Sequence, residues 1–372
     1  MKYYIIAGEA SGDLHGSNLI KEIRKKDAAA EIRCWGGDLM ESAGATLVKH
    51  YRDLAFMGFV EVLANLRTIF RNIDFCRADI TAFTPDCIIF IDYPGFNLRI
   101  AKWARSQGYK TVYYISPQVW AWKESRVREI RKNIGRMLVI LPFEPAFYQK
   151  WAYPVEYVGH PLVEVIDRFK AEHPDLGPDE KLVVLLPGSR KQEILQKLPV
   201  MLSVTPAFPD YRFIVARAPG QPDSFYEPLL APYPNVGAAS GQTYALLMQA
   251  RAALVTSGTA TLETALFGVP EAVCYKGNPL SYSIAKRLIK VKFISLVNLI
   301  MDRLVVQELI QHDMNQEKLT AELERLLHDA DYRKRIEADY AALHDILRKG
   351  GAASEQAAAS IWSFLQGSAA EK

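Results

Sequence analysis

The chain is poor in cysteine, balanced in charge and free of long apolar runs, and each shortage excludes a class of protein. Cys34, Cys76, Cys87 and Cys274 are scattered over 372 residues. Their spacing matches neither a disulfide framework, a metal site nor a redox pair, so a reduced, cytoplasmic chain is expected. Lys and Arg total 45 against 42 Asp and Glu, a net charge of +3. That is too little to gather nucleic acid by a global field. No uninterrupted apolar stretch reaches the roughly 20 residues that span a bilayer, so any membrane contact is expected at the surface. The first residues read as a strand and not as a secretory leader. Low-complexity tails and short repeats are also lacking. The remainder is ordinary for a globular protein, with 49% hydrophobic and 23% charged residues. The length exceeds one common core and predicts two domains.

Two loops look like copies of one device. Tyr3-Tyr4-Ile5-Ile6-Ala7 runs into Gly8-Glu9-Ala10-Ser11-Gly12-Asp13, and Leu182-Val183-Val184-Leu185-Leu186 runs into Pro187-Gly188-Ser189-Arg190. Each is an apolar run of strand length that stops at small residues and precedes a helical pattern, which is how a parallel α/β domain begins. Strands are predicted at 2–7, 31–35, 87–92, 110–115, 137–141 and 155–158, with amphipathic helices at 16–26, 59–83 and 97–107 between them. A second series follows at 182–186, 211–216, 252–256 and 271–275. Such alternation predicts parallel sheets covered on both faces, with a cleft between two domains. The segment from Gly159-His160-Pro161 to about Pro178 reads as a connector. From 317 onward the pattern is helical, with a break at Gly350-Gly351 and a last helix at 352–366. The expected division is 1–165, 166–348 and a terminal helix over 349–372, packed on the first domain or on a partner subunit.

Several polar residues sit where parallel sheets place ligands. Ser257-Gly258-Thr259 follows an apolar strand and opens a helix. Free backbone N–H groups and the helix dipole make such a junction a diphosphate site, unless it is only an ordinary helix start. Glu263, about a turn further on, has the chemistry to accept two ribose hydroxyls. Arg190 follows a strand end, where a guanidinium binds phosphate in a bidentate way. Asn298 and the Gln307-Glu308 pair fall later, with groups that could contact a base or sugar, but the sequence alone does not single them out. In the first half, Gly8 to Asp13 lacks G-x-G-x-x-G spacing. Its glycines permit close approach to a ligand, Glu9 and Ser11 offer groups to sugar hydroxyls, and Asp13 reads as a cap of its own helix. Asp92 ends the run Cys87-Ile88-Ile89-Phe90-Ile91 beside aromatic residues. A partly desolvated carboxylate there suits a general base, and Asn97 is the better-placed cap for the next helix. Trp120 and Trp122 either stack on sugars, pack against the neighbouring domain or belong to the core. The apolar stretch 56–71 is either a buried helix or one that lies in lipid headgroups.

Taken together, these motifs resemble the lipid-A-disaccharide synthase family. The resemblance rests on Gly8 to Asp13, Met57-Gly58-Phe59-Val60-Glu61-Val62, Ile91-Asp92 with Phe96-Asn97, Ser116 to Trp122, Leu141-Pro142-Phe143-Glu144 and Gly159-His160-Pro161. Leu186 to Arg190 with Glu193, Ser257 to Glu263, and Ser295 to Leu299 extend it over nearly the whole chain. Gly95 departs from it, where many members carry an aspartate. The family implies a GT-B fold, two Rossmann-like domains whose parallel sheets face a central cleft, and an inverting, metal-independent hexosyltransferase with no cofactor. Its donor would be UDP-2,3-diacylglucosamine and its acceptor 2,3-diacylglucosamine 1-phosphate. The products would be the β-1,6-linked disaccharide 1-phosphate of lipid A biosynthesis and UDP. By position, Asp92 would be the base and Arg190 the essential arginine. UDP would be held by Ser189, Arg190, Glu193, Ser257, Gly258, Thr259, Glu263 and Asn298, and the acceptor by Glu9, Ser11, Asn97, Gln118 and Trp120. Phe59, Val62, Leu63, Leu66 and Phe70 would meet the cytoplasmic face of a Gram-negative inner membrane. A homodimer is also allowed. The alternatives are an isomerase resembling UDP-N-acetylglucosamine 2-epimerase, which needs no lipid-facing helix, and a non-catalytic nucleotide-sugar-binding protein.

Overall fold

A computed structural model describes residues 1–54, 66–218, 220–278, 282 and 291–367, with Leu66 described by its backbone alone. The chain forms two compact units, Met1–Pro161 with Arg348–Lys372, and Leu162–Leu347.

In the first unit the strands are β1 (Lys2–Ala7), β2 (Glu31–Gly36), β3 (Thr46–His50), β4 (Cys87–Ile91), β5 (Lys110–Tyr114), β6 (Arg136–Val139) and β7 (Glu156–Tyr157). They form one 7-stranded sheet in the order β3-β2-β1-β4-β5-β6-β7, with every pairing parallel. Helices α1 (Ala10–Lys26), α2 (Asp38–Ser42), α3 (Leu66–Phe83), α4 (Pro94–Ser106), α5 (Val119–Trp122), α6 (Val127–Asn133) and α7 (Glu144–Gln149) make the described crossovers. Strand alternation splits the core. Tyr4, Ile6, Ile88, Phe90 and Tyr113 pack with Ile80 of α3 and Ile100 of α4. Tyr3, Ile5, Ile89, Ile91 and Val112 pack on the opposite face with Leu19, Ile20 and Ile23 of α1. Both faces are covered, so the central strands read as continuous apolar runs.

The second unit contains α8 (Pro161–Glu172), β8 (Asp179–Leu186), α9 (Lys191–Ser203), β9 (Arg212–Arg217), α10 (Asp223–Leu230), β10 (Val236–Ser240) and α11 (Thr243–Gln249). It continues with β11 (Ala250–Thr256), α12 (Thr259–Phe267), β12 (Glu271–Tyr275), α13 (Leu296–Met301), β13 (Glu308–Ile310), α14 (Gln316–His328) and α15 (Ala330–Arg348). Its 6-stranded parallel sheet has the order β10-β9-β8-β11-β12-β13. Both sheets therefore run outward from their first strand, then reverse beside it, which is the doubly wound pattern.

The strands absent from the sequence reading, β3, β10 and β13, all lie at sheet edges. These three are only partly covered and carry no long run of large apolar residues, as in Val236-Gly237-Ala238-Ala239-Ser240; β7, the fourth edge strand, is the one expected at 155–158. The expected connector at 159–178 is also corrected. Pro161, preset for a first helical turn, starts α8, which buries Leu162, Val163 and Ile166 at helical spacing. Helix α4 begins at Pro94, before the expected 97, for the same reason.

The last helix, α16 (Ala353–Gly367), belongs to the first unit and lays Ala357, Ile361 and Leu365 against the α1 face of its sheet. Ile361 is 1% exposed. Ile361→Ala is expected to destabilise the first unit by about 2–4 kcal/mol, the cost of a buried cavity of that size. A urea unfolding curve monitored within this unit checks it; an unchanged midpoint would show that α16 is dispensable.

Candidate active site

The strand orders place two pairs of loops at the switch points, the usual ligand positions of doubly wound sheets. In the first unit Ala7 pairs with Ile91, so Gly8-Glu9 and Asp92-Tyr93 leave the sheet side by side. Gly8 is required there: a β-carbon on it would lie 2.3 Å from the Tyr93 ring. Asp92 and Tyr93 both adopt left-handed backbone, with φ of 44° and 47°. Two consecutive non-glycine residues in that region are strained, and surrounding contacts must hold them. The Asp92 carbonyl accepts from Asn97 Nδ2 at 2.8 Å and from Tyr113 Oη at 2.5 Å. Asn97 Nδ2 also reaches the Ile6 and Ile91 carbonyls at 3.3 Å, tying the turn to both strands. The half-buried Asp92 carboxyl is pushed up to about 6, first by desolvation and then by the charge of Glu9, against a hydrogen bond from the Tyr93 amide.

The remaining first-unit candidates separate into exposed and structural groups. Glu9, Ser11 and Gln118 are exposed, with Glu9 and Ser11 at the start of α1. Asn97 is corrected twice: it lies inside α4, not at its cap, and is 0% exposed, so it positions Asp92 and is not open to an acceptor sugar. Asp13 is also corrected. Its carboxylate accepts from the Gly37, Leu39 and Met40 amides and so caps α2 in place of its own helix. The close approach that Gly8 permits is to Tyr93 of the same chain. Trp120 packs edge-on against Phe143 at 4.9 Å and joins the core, whereas Trp122 is 52% exposed with the Arg126 guanidinium over its ring. Beneath this loop Glu144 is fully buried, accepts the Ile140 and Leu141 amides, and is raised to about 7 by desolvation. Phe59, Val62 and Leu63 lie outside the described residues. Leu66 opens α3, and Phe70 on the same helix is 56% exposed. Among the described residues no helix is long and apolar enough to cross a membrane.

In the second unit Leu186 pairs with Val255, bringing the ends of β8 and β11 together. Around them lies a pocket of about 350 Å³ lined by Gly188, Ser189, Arg190, Glu193, Thr256 to Ala260 and Arg217. Gly258 caps α12 with φ of 151°, and the space where a β-carbon would stand is open. The first amides of α12 have no partner within the helix and meet the positive end of its dipole, so an anion is favoured here. Arg190 is 62% exposed and only loosely paired with Glu193 at 3.8 Å. Its guanidinium is therefore available to a ligand. Ser257 Oγ donates to the Ile294 carbonyl, which leaves its lone pairs open. Glu263 is half-buried and accepts from Tyr244 Oη at 3.1 Å, and desolvation raises its carboxyl.

Asn298 is not available to a nucleotide. It is 0% exposed, its amide donates to Val306 O and Glu308 Oε1, and its oxygen accepts from the Val305 and Val306 amides. Glu308 in turn accepts from the Ile294 and Ser295 amides. The two residues tie the chain before α13 to β13.

Two doubly wound parallel units are the architecture of GT-B glycosyltransferases and of sugar-nucleotide epimerases. The glycotransferase of kitacinnamycin superposes with a TM-score of 0.64 at 16% identity, covering 97% of this chain and 98% of that one. UDP-GlcNAc 2-epimerase of Neisseria meningitidis, bound to UDP-GlcNAc, gives 0.62 at 12% identity over 94% and 100%. At these identities the likeness concerns the fold alone. Sequence decides between the classes. The chain belongs to the lipid-A-disaccharide synthetase family, whose model matches residues 3–361. It is 39% identical to the lipid-A-disaccharide synthase of Geobacter sulfurreducens over 97% of this chain and 96% of that protein. The family is one of glycosyltransferases, and the epimerase alternative falls away.

The raised Asp92 carboxyl has a stability signature. Its neutral form is favoured by the fold, so stability is lost as pH rises from 3.8 through about 6. Asp92→Asn is expected to stabilise the first unit by about 2–3 kcal/mol at pH 8, at about 1.4 kcal/mol per pKa unit, and by almost nothing at pH 3. Urea unfolding at both pH values measures it; equal effects at the two would show that Asp92 is not desolvated.

Proposed function

We propose that this chain transfers 2,3-diacylglucosamine from UDP to the 6-hydroxyl of 2,3-diacylglucosamine 1-phosphate. Asp92 takes the proton of that hydroxyl. The oxygen attacks the donor's anomeric carbon from the face opposite UDP, the bond from that carbon to the diphosphate oxygen breaks, and a β-1,6 linkage forms with inversion. The electrons of the broken bond leave on UDP. Arg190 and the amides at the start of α12 balance that developing charge electrostatically. Glu263 accepts the ribose hydroxyls. On this reading the first unit handles the acceptor and the second the nucleotide. The observation that carries the proposal is Asp92: a carboxyl raised to about 6 and aimed from a strained turn at a sheet switch point. Family membership supplies the sugars. The exposed Phe70 and Trp122 suit acyl substrates met at a lipid surface, on the cytoplasmic face of the inner membrane.

The base role predicts that Asp92→Asn lowers kcat by about 10²–10⁴-fold while UDP affinity is retained. In the unsubstituted chain kcat/KM should fall tenfold per pH unit below about 6, as Asp92 takes up its proton. A transfer rate untouched by Asp92→Asn would remove Asp92 from the chemistry. Arg190→Ala should weaken UDP binding by about tenfold or more in calorimetric titration, the scale of a lost charge-assisted hydrogen bond. Unchanged affinity would leave the arginine without a phosphate role.

A further inference from the structure

Behind the second-unit pocket lies a cation that the proposed chemistry has not used. Lys197, on α9, is 4% exposed. Its Nζ donates to Thr256 Oγ1 at 2.5 Å and lies 5.8 Å from the centre of the Tyr275 ring. Among the described residues no carboxylate comes within ion-pair distance of it. A buried ammonium with no charged partner is expensive, and neighbouring dipoles or a ligand's charge must offset that cost. Desolvation pulls this ammonium below its ordinary value, and Glu193, one helical turn earlier, acts against that shift.

The hydrogen bond also fixes a direction. An ammonium has donors only, so Thr256 Oγ1 must accept. The threonine's own proton is then free to point elsewhere, and among the described residues it donates to no protein acceptor. Thr256 ends β11, is 8% exposed and lines the pocket between Gly188 and Gly258. An oxygen that accepts from a cation is a stronger donor through its remaining proton, because bonds in such a chain polarise one another.

We propose that Lys197 and Thr256 form a charged donor relay for the diphosphate, with Thr256 Oγ1 donating to a phosphate oxygen and Lys197 supplying the charge from behind. The relay rests on the reading that this pocket holds UDP. It gives the leaving group a second cation besides Arg190, one held inside the protein where water screens it little. Arg190, exposed and loosely paired, is free to move with the ligand, whereas Lys197 is fixed by its burial.

Calorimetric titration of the full chain with UDP and with uridine separates the possibilities. Lys197→Met should weaken UDP by about tenfold or more, the scale of a lost hydrogen bond to a charged group, and leave uridine unchanged. Thr256→Val should do the same, the double variant should bind no worse than the weaker single one, and Thr256→Ser should bind UDP as the unsubstituted chain does. Should Lys197→Met fail to fold, Thr256→Val decides alone, because it keeps the ammonium and removes only the hydroxyl. UDP affinity unchanged in these variants, or UDP and uridine weakened together, overturns the relay while leaving the pocket assignment intact. Failure of the unsubstituted chain to bind UDP overturns both.

Discussion

Asp92 leaves a fully buried strand in a backbone conformation that a β-carbon disfavours, and much of the first unit serves to hold it there. The turn is held by two donors on the Asp92 carbonyl and by space beside the Tyr93 ring. Asn97 reaches back from α4, Tyr113 reaches across from β5, and Gly8 at the end of β1 leaves room for the Tyr93 ring. The same residue thus combines a left-handed backbone with a carboxyl raised by desolvation.

The second unit solves a different electrostatic problem with the same topology. Its switch point gathers positive potential from a helix N-terminus, an exposed arginine and a buried lysine hydrogen-bonded to Thr256 of the pocket wall. Among the described residues that line this pocket no carboxyl is raised; Glu263 lies a helical turn further on, and the buried Glu271 opens β12. The first unit holds a desolvated carboxyl at its switch point, and the second gathers positive charge at its own. One repeated architecture thus yields two halves with opposite chemical character, the division of labour on which the proposed transfer rests.

Residues at strand ends were legible in the sequence because an apolar run interrupted by a polar residue is a local pattern. Asp92 after Ile91 and Arg190 after Leu186 both follow it, and the central strands were legible for the same reason. Of the edge strands only β7 was legible; β3, β10 and β13 lack the two-sided burial that writes an apolar run. The holding residues were hidden as well. Tyr113 looks like any β-strand tyrosine until the turn at Asp92 folds under it. Lys197 looks like an ordinary helix charge one turn from Glu193. Asn298 carries polar atoms suited to a ligand, and only the structure shows them all consumed by Val305, Val306 and Glu308. Tyr113 and Lys197 depend on partners distant in sequence, and Asn298 on a turn of the chain that no hydrophobic pattern encodes.

The most direct test of the account is identification of the product. The chain is incubated with UDP-2,3-diacylglucosamine and 2,3-diacylglucosamine 1-phosphate, and the products are analysed by mass spectrometry and by the coupling of the new anomeric proton. The account predicts a β-1,6-linked tetraacyl disaccharide 1-phosphate formed in step with UDP. Turnover of UDP-N-acetylglucosamine without any acyl acceptor, or UDP release with no disaccharide, would contradict it.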